Sequence, residues 1–362
     1  GGAMRKCMRG GTGVSPVRKA LICRVRMTLQ RMGKMTIPRE KEVLIHVLRT
    51  ASVMVAVLAA AALGGCRPCP ETIVPLDELV ARYNHNAAKA PRLWARAEIT
   101  ATFKDPRSHL PFTWQSPTGL LLLQKADAPL GPHGFALVGF EAGEEVFRVG
   151  SSPTDGAYYF WYGWGSSGEC RWGRLKYAGA SGVEGVEIDP LQLLAVLGMC
   201  ELPVDFTGIP TVALTMNTTP GKCAYVLTYI DRRPVSGRIT FRREMYFRWA
   251  EDAPCRPFMI KFFDDVGRRV MTAKLSNYKP VDCSDLDNPP DEDPLMPSRI
   301  EITWVDPVSG KFKSRVRIRL SEMTAEDKWD PDVLRFWKNL PPGLGPKCTQ
   351  VDGHLDPGGP KP

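Results

Sequence analysis

The chain is 362 residues long, 43% hydrophobic, and carries a formal charge of +9 from 48 Lys and Arg against 39 Asp and Glu. That excess sits almost wholly in residues 1–65, from Arg5 to Arg49, and the remainder is close to neutral. A nucleic-acid binder keeps a basic stripe in its folded part, so no nucleic-acid partner is expected.

Residues 1–65 read as a leader. Arg49 is the last cation before an apolar run, Ala51–Leu63, which ends in Gly64, Gly65 and Cys66. A basic flank, a short apolar core and small residues at the end form the pattern of a secretory signal. A membrane span would need about 20 apolar residues, and extending the run upstream brings in Arg49 and His46. A buried core helix is seldom so alanine-rich and unpatterned. The ending Leu63-Gly64-Gly65-Cys66 resembles the bacterial lipobox. That resemblance implies cleavage before Cys66 and acylation of its thiol, with fatty chains such as palmitate holding the protein to a membrane. Arg67 follows Cys66, and by the same analogy the absence of Asp there favours the outer membrane, with the domain facing the periplasm. Met27, Met32 and Met35 are each plausible true starts.

Export implies an oxidising compartment. Beyond Cys66 stand Cys69, Cys170, Cys200, Cys223, Cys255, Cys283 and Cys348, an odd number whose pairing the sequence leaves open. Cys66-Arg67-Pro68-Cys69 has C-x-x-C spacing, but it ends a signal rather than opening a helix, so a redox motif is set aside.

Residues 66–75 read as anchor and tether. Leu76–Ala88 places Leu76, Leu79, Val80, Tyr83 and Ala87 on one helical stripe, with Asp77 and Glu78 in the first turn, where the helix dipole favours acids. His85 reads as a surface residue. Arg92–Phe103 alternates strictly, with Leu93, Ala95, Ala97, Ile99, Ala101 and Phe103 on one side. After a Pro-rich loop, Asp105–Pro117, come strands at Gly119–Lys125, Phe135–Phe140, Glu145–Val149, Ala157–Gly163 and Glu169–Tyr177, separated by turn dipeptides. Asp189-Pro190 caps a second helix through LQLLAVLGM. Strands resume at Thr211–Met216, Cys223–Asp231, Arg238–Trp249, Pro257–Asp264, Arg268–Val281, Arg299–Val305 and Lys311–Leu320. Between them lie the hairpin turn Asp264–Gly267 and an acidic insert, Asp282–Pro297. A helical turn is expected at Asp330–Trp337, and a disordered tail over 341–362. The fold class is therefore α+β, mainly antiparallel β, with the domain spanning 76–340.

A helix, a long opening strand and an antiparallel meander with one mid-chain helix resemble the LolA/LolB superfamily of lipoprotein localisation factors. The resemblance is carried by LDELVARYNHNAAKAPRLWARAEITATF, IDPLQLLAVLG, REMYFRW, FFDDVGRRVMTAKLSNYKPV, MPSRIEITW and RVRIRLSEM, and it covers most of the chain from Leu76 to Trp337. It implies a curved half-open β-barrel with helices in its mouth, and a concave cavity for lipid or lipoprotein acyl chains. The candidates for that cavity are Trp94, Phe103, Leu121, Leu123, Phe160, Trp161, Phe241, Phe247 and Trp304.

No nucleophile elbow, zincin, P-loop or dinucleotide motif occurs, and no metal or other cofactor is expected. Asp291-Glu292-Asp293 lacks EF-hand spacing and reads as a solvated acidic loop. The leading expectation is a lipid-anchored envelope protein that binds or transfers a lipid or lipidated protein without chemistry. The alternative is a structural or interaction module of the envelope, and an enzyme ranks third. An open aromatic-lined cavity favours the first, a filled interior the second, and a buried titratable pair in a cleft the third.

Overall fold

Strand alternation and turn chemistry in this chain build one long sheet. The computed structural model describes residues 69, 74–104, 110–125, 134–152, 156–164, 167–177, 190–219, 223–232, 237–248, 256–287, 289–325 and 348–355. All of them belong to one compact unit, Pro68–Pro362. The leader with Leu63, Gly64, Gly65 and Cys66, and the helical turn expected at Asp330–Trp337, lie outside the described residues.

Helix α1 spans Leu76–Ala88 and α2 spans Pro190–Leu197. The strands are β1 (Arg92–Lys104), β2 (Pro111–Ser116), β3 (Thr118–Gln124), β4 (Gly134–Glu141), β5 (Glu144–Ser152), β6 (Ala157–Trp164) and β7 (Ser167–Arg174). After α2 follow β8 (Thr211–Asn217), β9 (Ala224–Arg232), β10 (Ile239–Arg248), β11 (Pro257–Phe263), β12 (Arg269–Pro280), β13 (Leu295–Val305), β14 (Phe312–Thr324) and β15 (Cys348–Gln350). They join in the order β15-β7-β6-β5-β4-β3-β1-β14-β13-β12-β11-β10-β9-β8, with β2 paired to the far half of β1. Every pair is antiparallel except β15 with β7. The path is open, ending at β15 and β8.

The sheet curves around α1. From β9 to β3 is seven strand spacings, about 34 Å on a flat sheet, whereas a helix of this length spans about 20 Å. Yet α1 reaches both limits: Val74 N–H, just before it, donates to Tyr225 on β9, and Lys125, just after β3, donates to the carbonyl of Ala87. A concave sheet brings these two side chains to the ends of so short a helix. Leu79, Val80, Tyr83 and Ala87 of α1 are buried on that face. Residues Leu193–Leu197 of α2 are all buried, as befits a helix enclosed on every side. The inner face of β1 is small (Ala95, Ala97, Ala101), so alanine lets the neighbouring layers approach.

The structure departs from the sequence expectations in three places. The loop expected over Asp105–Pro117 contains β2, which hydrogen-bonds along β1 from Ile99–Ser116 to Lys104–Pro111; Pro111 tolerates this because it opens the strand. The acidic insert ends earlier than expected, since β13 begins at Leu295. The tail is ordered at 348–355. There Cys348 is disulfide-bonded to Cys170, and buried Asp352 accepts a hydrogen bond from Arg174 N–H. A second disulfide joins Cys69 to Cys223, and Cys200 and Cys283 are free thiols.

Candidate concave apolar site

Strand register fixes which side chains share the inner face, because residues directly paired across strands point the same way. One row crosses β8 to β2 as Val212, Tyr229, Arg243, Phe262, Met271, Trp304, Ser314, Phe103 and Phe112. The next row is aliphatic: Leu214, Leu227, Met245, Ile260, Ala273, Ile302, Val316 and Ala101. On the other half of the sheet, Ala95, Leu121, Leu137, Val149 and Phe160 continue the apolar lining. With α1 and α2, these strands share one hydrophobic cluster. The interior is therefore mostly apolar, and most of the side chains lining it are buried in this cluster.

The structure sorts the sequence-derived cavity residues. Leu121, Leu123, Phe247 and Trp304 are buried in this cluster, and Phe160 packs against it half-buried. Phe103 has inward register, but its side chain lies outside those described. Trp94 is a correction: it lies on the opposite face with Leu122, Ala136 and Val138. Its phase follows from the alternation that turns Leu93 and Ala95 inward. Trp161 is another, also on the outer face, where it is buried beside the Cys170–Cys348 bridge. Phe241 belongs to no buried cluster; it is exposed and meets Phe263 edge-on, with ring centroids 4.8 Å apart. Both faces of β6 are apolar for a specific reason: a Cβ at Gly173 would come within 2.6 Å of the Tyr158 hydroxyl, and one at Gly150 within 2.8 Å of that of Tyr159. Each ring occupies the space a glycine leaves open.

Sequence reasoning missed the polar residues that hold α1 in place. Asn84 exchanges two hydrogen bonds with the backbone of Leu202, both 2.8 Å. Asn86 does the same with Leu295, at 3.0 and 2.9 Å. Two asparagines on a helix otherwise read as amphipathic were the available sign.

It also missed Arg243, the cation within the inner row. Its guanidinium lies 4.4 Å from the centroid of the Tyr229 ring, and its Nε is buried without an acceptor. The hydroxyl of Tyr83 is likewise buried and unpartnered. Burial pushes the Tyr83 phenol up, and the charge of Arg243 opposes that shift. Burial raises the Cys200 thiol in the same way, with Arg243 and Lys125 opposing. Of these groups, Arg243 and Tyr229 are in direct contact, and Tyr83 packs edge-on against Phe247 at 6.1 Å.

A separate open groove of roughly 660 Å³ lies where β10 and β11 meet the β13–β14 turn. Glu244, Tyr246, Lys261 and Arg269 line it with Val305–Gly310. Lys261 donates to Tyr246 and Tyr246 to Glu244, so these polar groups satisfy one another.

No protein-family model matches the chain, and no curated protein matches it. Among solved structures, a LolA superfamily protein from Nitrosomonas europaea matches at 14% identity, covering 72% of this chain and 97% of its own, with a TM-score of 0.39. A DUF1329 family protein from Desulfovibrio piger matches at 12% identity over 73% and 95%, TM-score 0.43. The lipoprotein LppX of Mycobacterium tuberculosis matches at 7% identity over 71% and 99%, TM-score 0.22.

Proposed function

We propose that this protein binds or transfers a lipid, or the acyl chains of a lipidated protein, on the concave face of its sheet. The observation that carries the reading is the mostly apolar inner face from β8 to β5, interrupted by Arg243 and Ser314 and covered by helices rather than by a second sheet. Helix α1 is attached over that face by four hydrogen bonds from two asparagines, each worth about 1 kcal/mol net. An acyl chain repays the displacement of helix side chains by burying its own methylenes, about 0.8 kcal/mol each. The burial of the inner-face side chains together with those of α1 and α2 is the observation that favours the second reading, a structural or interaction module of the envelope with no small ligand.

The reading includes acylation at Cys66 and a place in the cell envelope, at the outer membrane facing the periplasm. Cys69 is bonded to Cys223, immediately before β9.

Native mass spectrometry of the protein extracted from membranes tests both parts. A stoichiometric lipid adduct, in addition to the N-terminal acyl mass, is the expected result. An acylated chain that stays free of adduct after incubation with phospholipid and fatty acid overturns the binding reading in favour of the module. A chain without the acyl mass overturns the anchor.

A further inference from the structure

We infer that the end of the sheet formed by the β9–β10, β11–β12 and β13–β14 turns is a docking surface for an anionic lipid bilayer. The inference goes beyond the acyl-binding reading above and does not depend on it.

In an antiparallel meander every second turn falls at the same end of the sheet. The strands β9 to β14 are neighbours in sequence order, so these three turns stand side by side, about 10 Å from one to the next. Two of them are built alike. In Asp264–Gly267 the Asp264 carboxylate accepts the N–H of Val266 at 3.1 Å, and in Asp306–Gly310 the Asp306 carboxylate accepts the N–H of Val308, also at 3.1 Å. Each aspartate is held within its turn, and each valine is thrust outward, 64% and 78% exposed. Turn chemistry favours Gly, Asn, Asp or Ser at such positions, so the turns themselves do not account for a β-branched apolar residue at both tips. On the third hairpin Ile239, opening β10, is also exposed. Phe241, two residues on, joins this hairpin to the next: it meets Phe263 with ring centroids 4.8 Å apart, and a Cβ at Gly267 would come within 3.0 Å of its ring.

Cations collar these tips. Arg268 and Arg269 follow Val266, Lys311 and Lys313 follow Val308, and Arg238 precedes Ile239; all five are exposed. Arg268 pairs with Asp264 at 2.8 Å, whereas Arg269 and Lys311 have no ion pair among the described residues. The opposite end of the sheet reverses the charge, since the β12–β13 connection Val281–Pro294 contains five Asp, one Glu and no Lys or Arg. An anionic surface therefore attracts one end and repels the other. Separate apolar tips with cations between them suit a headgroup layer, which closes around each tip while its charges meet the cations. A protein interface needs instead a continuous packed core.

The test reads the depth of one tip. Val308→Trp in the full protein adds an emission, measured as the difference from the wild type, that brominated acyl chains quench only when the indole enters the bilayer. Brominated vesicles of phosphatidylcholine alone are compared with an equal mixture of phosphatidylcholine and phosphatidylglycerol. The added emission should be quenched on the mixture and recover at high salt. Arg269→Gln and Lys311→Gln should each weaken the effect about fivefold in vesicle concentration, and Val266→Asp should abolish it at concentrations that saturate the parent. All these positions are exposed, and thermal unfolding verifies that each variant is folded. The N-terminus is the same throughout, so any anchor contributes equally. An added emission that stays unquenched on the mixture overturns the inference and leaves a protein as the partner to seek. Equal quenching on phosphatidylcholine alone, or quenching that survives Val266→Asp, overturns it as well. Palmitate binding on the same samples decides the acyl-binding reading separately, whichever way the tip behaves.

Discussion

Two arginines lie in otherwise apolar parts of this sheet, and the protein treats them differently. Arg148, on the outer face of β5, is 4% exposed and meets Glu145 through Nε at 2.6 Å and through a second short contact at Nη2. Arg243, on the inner face of β10, has an aromatic ring beneath it and no carboxylate. A charge that is buried and fully partnered is part of the architecture. A charge that is only half-buried keeps part of its hydration and is borne over an aromatic face without an ion pair.

The comparison is sharpest in stability. Arg148→Met strands Glu145 in a half-buried setting and should cost about 3 kcal/mol, read from denaturant midpoints. Arg243→Met should cost less than about 1 kcal/mol or raise stability, since no partner is abandoned. Equal costs would mean that Arg243 is structural. The region around Arg148 also depends on covalent closure. Cys170–Cys348 joins residues 178 apart, so replacing both with Ser should cost about 2–5 kcal/mol. Gly150→Ala places a Cβ 2.4 Å from the Phe135 carbonyl and should cost about 1–3 kcal/mol as overpacking. Tyr83→Phe removes a hydroxyl that pairs with nothing and should change stability by no more than about 0.5 kcal/mol.

A further expected effect is on pH. Burial pushes Tyr159, beside Arg148, up from 10.0 to about 12. A group whose folded pKa is raised contributes fully below its unfolded value and loses that contribution as pH rises through the folded one. Stability should therefore hold to about pH 10 and fall between about 10 and 12, and Tyr159→Phe should flatten that fall. An unchanged profile in the variant would assign the decline to other groups.

How far the sequence carried the account depends on which signal each segment bears. Helix α1 was legible to its ends, since its apolar stripe and first-turn acids agree over Leu76–Ala88. The strands from β3 to β14 were legible within a few residues, because each is bounded by turn dipeptides or glycine. Strand β2 was hidden by the prolines around it, and β15 by a Gly- and Pro-rich tail whose order comes from a disulfide to a cysteine far back in the chain. Within the site, alternation turned Trp94 outward even as its hydrophobicity suggested the cavity. Arg243 was illegible for a different reason. By alternation Arg243 shares the inward phase of Met245 and Phe247 and was passed over because it is charged, whereas the bulge between Phe241 and Arg243, which periodicity alone does not reveal, is what sets Phe241 apart.

The central claim is that a ligand occupies the inner face beneath α1 and α2, displacing helix side chains that pack there. Amide hydrogen exchange of the protein with and without bound palmitate, its occupancy verified by intact mass, tests this most directly. The account expects altered protection in Leu76–Ala88 and Pro190–Leu197, with β4 to β7 unchanged. A palmitate-loaded protein in which both helices exchange as they do in the free form would contradict it.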